Sequence, residues 1–185
     1  MLFFSLRTEV LIFVVTICLS SSSVLFADLK ITRIQKTAEF YEIVLNNDIK
    51  ISNIFLRDNV LEFPKYKNKN KTYKQIVVLR KDFKNYLLGA LLSNNIFSGK
   101  CITSFKINKM SVLKDNKSIK AFASIIFDDD IEVECRIMNG KKGLWIAWPS
   151  DLKHCIWIKN FTFINKNLQK DIEKKLIIDY TSIVS

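Results

Sequence analysis

Histidine, proline and glycine are all scarce in this chain, which has one, two and four of them among its 185 residues. The lone histidine, His154, adjoins Cys155. Neighbours along a strand face opposite ways, so the two do not make a nucleophile and base pair. Cysteine is sparse as well: Cys18 lies in an N-terminal apolar run, and Cys101, Cys135 and Cys155 are an odd number with no CxxC or His/Cys spacing. A closed disulfide framework and a zinc site are both excluded on that ground. Asp128, Asp129 and Asp130 cluster acids, but three carboxylates in a hairpin turn read as solvated rather than as metal ligands. Neither enzyme activity nor a cofactor is expected. With 49% hydrophobic and 12% aromatic residues the chain is globular, and long enough for one ordinary domain or two small ones.

What the chain has in excess is positive charge, with 29 Lys and Arg against 18 Asp and Glu and a net +11. A basic surface concentrates nucleic acid, anionic lipid or acidic wall polymer alike. The N-terminus narrows the choice. Arg7 precedes an apolar run from Val10 to Leu19, four serines follow, and Val24-Leu25-Phe26-Ala27 ends in a small residue before Asp28. Residues 1–27 therefore predict a signal peptide, or an N-terminal anchor if uncleaved, and an extracytoplasmic (periplasmic or envelope-associated) protein. A cytoplasmic location is the alternative if that segment is not a signal.

The remainder reads as a repeat. Pro64 and Pro149 are 85 apart (149 − 64), and the same offset joins Lys74 to Lys159, Lys81 to Lys166 and Leu91 to Leu176. Upstream the offset is 82 (130 − 48), pairing Phe40 with Phe122, Asp48 with Asp130 and Ile49 with Ile131. At 76 (106 − 30), Lys30-Ile31 pairs with Lys106-Ile107. The offset changes where turns are expected, and insertions there cost least. The predicted units are residues 28–97 and 98–185, joined near Ile96 to Lys100.

Each unit predicts an α+β structure, an antiparallel β-meander followed by a C-terminal helix. In the second, Ile119 to Phe127, Ile131 to Met138, Leu144 to Trp148 and Trp157 to Ile164 are four successive strand-like runs. Asn165 then sits at an N-cap position, and Leu168, Ile172, Leu176, Ile177 and Tyr180 fall on one helical face. The first unit matches with Ile43 to Leu45, Ile49 to Leu56, Val60 to Phe63 and Tyr73 to Leu79, then Phe83, Leu87, Ala90 and Leu91 on a helix. Gly140 and Gly143 would allow a tight turn with positive φ, and Pro149 would end a strand by removing a donor.

Residues 120–150 carry a specific resemblance. Lys120-Ala121-Phe122-Ala123-Ser124-Ile125, then Asn139-Gly140-Lys141-Lys142-Gly143-Leu144-Trp145-Ile146-Ala147-Trp148-Pro149-Ser150, resemble the SpoVG family of bacterial septation regulators. The resemblance extends weakly through Asn165 to Tyr180, and only its outline survives in the first unit. It implies a strand meander with a C-terminal helix, a homodimer, a role in septum formation and sequence-selective nucleic-acid binding. A basic stretch follows Pro-Ser in the family, whereas Asp151-Leu152 follows Ser150 here.

The basic stretch sits instead in the first unit. Lys65, Lys67, Lys69 and Lys71 alternate with polar residues and are joined by Lys74, Arg80, Lys81 and Lys84. In an extended loop the alternating lysines would point one way, a stripe suited to phosphates. Lys141 and Lys142 beside Trp145 make a lesser candidate, with the tryptophans either exposed for stacking or covering the helix. Two readings follow: an exported, non-enzymatic module that binds an anionic polymer or envelope component, or a cytoplasmic septation regulator that binds nucleic acid through the basic stripe. Two copies in one chain can satisfy each other's sheet edges, which predicts a monomeric intramolecular pseudo-dimer.

Overall fold

The computed structural model describes residues 28–68, 71–114, 118–153 and 155–185. The expected export segment and His154 lie outside the described residues. Among those described, no helix is long and apolar enough to cross a membrane.

The fold is α+β. The first half runs β1 (Ile31–Lys36), β2 (Tyr41–Leu45), β3 (Ile49–Arg57), β4 (Val60–Glu62), β5 (Lys65–Asn68), β6 (Lys71–Lys74), β7 (Ile76–Val78) and α1 (Lys81–Ser93). The second runs β8 (Phe105–Val112), β9 (Ile119–Phe127), β10 (Ile131–Gly140), β11 (Gly143–Ala147), β12 (Ser150–Lys153), β13 (Ile156–Lys159), β14 (Phe161–Phe163) and α2 (Lys166–Val184). Period-two patterning makes the strands: in β10, Ile131, Val133, Cys135 and Ile137 are buried while Glu132, Glu134 and Arg136 are half-buried. Hairpins form with little glycine because Asn and Asp tolerate left-handed backbone. Asn46-Asn47, Asp58-Asn59 and Asp128-Asp129 all have φ between 47° and 60°.

Two five-stranded sheets result. One is ordered β1-β2-β3-β14 with β4 also on β3, and the other β11-β10-β9-β8 with β7 also on β10. The final strand of each half thus leaves its own sheet. Phe161 lies opposite Ile51 and Phe163 opposite Ile49, while Ile76 lies opposite Val133 and Val78 opposite Ile131. These pairings correspond at the offsets of 85 and 82. Hydrogen bonds correspond too: Leu79 N donates to Asp130 O as Ile164 N does to Asp48 O, and Glu134 N donates to Gln75 O as Ser52 N does to Asn160 O.

Three expectations change. The run from Trp157 to Ile164 is not a fourth meander strand: β13 turns back on β12 in a separate two-stranded hairpin, and only β14 enters a main sheet. The offset of 76 is displaced, since Ile31 opposite Leu45 corresponds to Phe105 opposite Phe127, and bulges in β1 and β8 absorb the difference. Gly143 has φ 108°, but Gly140 does not need positive φ. A Cβ at Gly140 would come within 3.1 Å of Trp145 Nε1, so its role is to let that indole lie across the turn.

One core joins both halves, from Leu29 and Ile31 through Phe127 and Phe161 to Ile172 and Leu176. The helices cover it with the faces expected from periodicity: Phe83, Leu87, Ala90 and Leu91 on α1, Ile172 and Leu176 on α2. Asn165 caps α2, its side chain accepting from Asn167 N and Leu168 N. Trp148 packs against Phe163 at 4.7 Å and Phe161 at 5.5 Å between ring centroids.

Candidate functional site

The basic stretch of the first half folds as a hairpin rather than an extended loop. In it Lys65 faces Lys74, Tyr66 faces Tyr73, Lys67 faces Thr72 and Asn68 faces Lys71. The register corrects the expected one-sided stripe. Side chains alternate, so Lys65 and Lys74 share one face while Lys71 falls on the other with the Tyr66–Tyr73 pair. Lys69 lies outside the described residues. Directly opposed lysines destabilise a hairpin unless an anion lies between them.

Arg80 does not belong to a free basic surface. Its Nε is 2.7 Å from the buried Asp130 Oδ1, and its Nη2 donates to Asp28 Oδ1 at 2.7 Å. The hydrogen bond to Asp28 is the main reason its guanidinium is held above its ordinary value. Lys81 and Lys84 are exposed on α1, as are Lys141 and Lys142 in the β10–β11 turn.

The acidic turn is also not simply solvated. Asp128 Oδ1 accepts from the backbone and side chain of Ser104, and Asp130 Oδ2 accepts from Leu29 N at 2.9 Å. Burial pushes both carboxyls above the usual range, opposed by those hydrogen bonds. Of the three acids only Asp129 is exposed, paired with Lys106. These acids fasten the β9–β10 turn, and among the described residues no group of His, Cys, Asp and Glu could hold a metal ion. Cys135 is buried, and burial pushes its thiol up to about 12, so it is protonated and inert near neutrality.

The three tryptophans of the chain line one cavity of about 560 Å³ beside the β12–β13 hairpin. Trp148 is turned inward, its Nε1 donating to Glu173 Oε1 at 2.8 Å, whereas Trp145 is 50% exposed. Both readings of the tryptophans are thus realised, one each. Arg136, Lys159 and Lys166 line it, and among the described residues no carboxylate does. Arg136 also lies over the Tyr66 ring at 5.8 Å, so one guanidinium adjoins both hairpins.

Sequence reasoning missed Trp157, Lys159 and Arg136. A signal was present: at the offset of 85, Ser150 to Lys159 corresponds to Lys65 to Lys74, which ties the structure of the two stretches together.

Pro149 performs the expected strand ending, β11 closing at Ala147, and its carbonyl accepts from Asn160 N at 2.9 Å as the chain returns from β13. Ser150 opens β12.

The SpoVG family profile matches residues 101–182. A protein of Archaeoglobus fulgidus that carries the name septation protein SpoVG is 42% identical over 50 residues, 26% of this chain and 55% of that relative. The chain thus spans about half the length of the curated relative it matches. No solved structure matches.

Proposed function

We propose, from the premise that residues 101–182 are a SpoVG-family domain, that the chain is a non-enzymatic binding protein of the cell envelope that holds an anionic polymer on its lysine hairpin. The observation that carries this is the pairing of Lys65 with Lys74 on one face, and of Lys71 with the Tyr66–Tyr73 pair and Arg136 on the other, in a hairpin whose sequence contains no acid. A bound polyanion would relieve the repulsion and release counterions. Residues 28–97 are read as a diverged copy of the same unit, the pair forming a monomeric pseudo-dimer. Export rests on the Val10 to Ala27 pattern, with the mature chain starting at Asp28. N-terminal sequencing after cell fractionation tests it, and intact Met1 protein in the soluble cytoplasm would reject it.

Charge reversal of Lys65, Lys67, Lys69 and Lys71 together should weaken heparin and DNA binding and flatten its salt dependence, whereas reversal of Lys141 and Lys142 should do less. Equal losses from both sets would reject the lysine hairpin as the site. The second reading, a cytoplasmic septation regulator binding nucleic acid, is favoured by Tyr66, Tyr73 and Trp145, all exposed beside cations as in single-strand stacking platforms. A role in septation comes from the family resemblance and the relative's name, and is part of that reading.

A further inference from the structure

We propose that the β12–β13 hairpin is a membrane wedge that inserts its apolar tip into an anionic lipid surface while the lysine hairpin beside it binds the headgroups. This rests on the reading of β5–β6 as an anion-binding surface and names its partner.

The tip is unusual for a water-facing hairpin. Leu152, Ile156 and Trp157 are 58%, 66% and 63% exposed within six residues, and Leu152 is directly opposite Trp157. Scattered apolar side chains on a surface are ordinary, but a cluster near the end of a hairpin that joins neither five-stranded sheet marks an interaction site. The corresponding positions of the first hairpin at the offset of 85 are Lys67, Lys71 and Thr72, so the same scaffold carries a polar tip there. Arg136 stacks on Tyr66 of one hairpin and lines the same cavity as Trp157 of the other, which puts both on one side of the molecule.

Charge complementarity selects the surface. Across the two hairpins, residues 65–74 and 150–159, the sequence places seven lysines and one acid, Asp151, whose carboxylate accepts from Asn160 Nδ2 at 2.9 Å. Lysines of that kind are drawn to anionic headgroups, and tryptophan favours the level where headgroups meet acyl chains. Peripheral attachment takes two weak signals together, here charge and apolar insertion. A nucleic acid would use the lysines and the indole but offers nothing to Leu152 and Ile156, which have no ring to stack on a base.

Tryptophan fluorescence of the full chain tests this directly. All three tryptophans lie at residues 145–157, so the apolar residues 1–27 contribute no signal. Vesicles of phosphatidylglycerol and phosphatidylcholine with brominated acyl chains should quench the emission, and vesicles of phosphatidylcholine alone should not. Trp157→Phe should remove most of the quenching, and Leu152→Ser with Ile156→Ser should raise the lipid concentration for half-quenching at least about tenfold. Heparin and DNA affinity, measured in parallel, should be unchanged in these variants. Unquenched tryptophans in a protein that still binds heparin would overturn the wedge and leave the lysine hairpin standing. Loss of both bindings would overturn both. Quenching by an oligodeoxythymidine in place of vesicles would assign the tip to single-stranded nucleic acid instead.

Discussion

The hairpins β5–β6 and β12–β13 leave equivalent points of the two halves and are closed by equivalent hydrogen bonds, Glu134 N to Gln75 O for one and Ser52 N to Asn160 O for the other. Their surfaces differ beyond the shared closing lysines, Lys74 and Lys159. At equivalent positions one has Lys67 opposite Thr72, the other Leu152 opposite Trp157. Backbone geometry needs only alternation and a turn, so the two hairpins share it, while outward-facing positions, which no core packing restrains, can differ. Interior positions behave differently: Ile49 and Ile131, Ile51 and Val133, and Leu87 and Ile172 are all buried and all aliphatic.

Separating the halves should have the largest effect on this comparison. Residues 28–97 alone lack β14, leaving the Ile49–Ile51 edge of β3 unpaired, and should be unfolded or self-associating by circular dichroism and sedimentation equilibrium. A stable monomeric fragment would mean the exchanged strand is dispensable. The intact mature protein should sediment as one chain.

Next come the exchanged strands themselves. Phe161 is buried amid Phe127, Phe163 and Trp148, while its counterpart Ile76 is buried opposite Val133. Phe161→Ala should cost about 3–5 kcal/mol and Ile76→Ala about 2–4 kcal/mol in urea unfolding. Equal losses would show that the two junctions are anchored alike despite the aromatic cluster.

Smaller differences are expected at the turns. Asp130 holds Leu29 N and the Arg80 guanidinium, whereas the corresponding Asp48 holds the Asn165 amide at 2.9 Å. Asp130→Ala should cost about 1–3 kcal/mol by stranding the buried Leu29 N–H, and Asp48→Ala only about 0.5–1.5 kcal/mol. A reversed order would put the weight of the fold on the first half.

The smallest effect is that of pH. Burial holds Asp128, Asp130 and Glu134 above the usual carboxylate range. Such acids bind protons more tightly folded than unfolded, so stability falls as pH rises from the ordinary carboxylate value toward the raised ones. The thermal midpoint should therefore hold or rise slightly between neutrality and about pH 5. A fall over that interval would mean that other carboxylates dominate.

Local features were legible in the sequence. The apolar faces of both helices and the Asn165 cap depend on spacing within a turn or two, and the glycine hairpin depends on its own residues. Pairing was not legible, because Phe161 and Phe163 alternate in the same way whichever sheet they enter. Arg80 reads as one more base in a basic stretch until Asp28 and Asp130 are brought to it from distant parts of the chain. The face of Lys71 turns on the length of the β5–β6 connection, which shifts parity by one residue. At the candidate site the lysines could be read directly, but the apolar tip was split, with Trp157 opening an expected strand and Leu152 and Ile156 left in the connection before it.

Strand exchange also fixes an order of events during synthesis. The first sheet waits for β14, and Asn165 reaches Asp48 across 117 residues of chain. The second sheet has all its strands once Ala147 is made and the first only at Phe163, so the nascent chain cannot close its first sheet early as an ordinary two-domain protein does. Contacts of such separation form slowly. Until then the unpaired edge of β3 is open to other chains, so the first half depends on the second for protection as well as for packing.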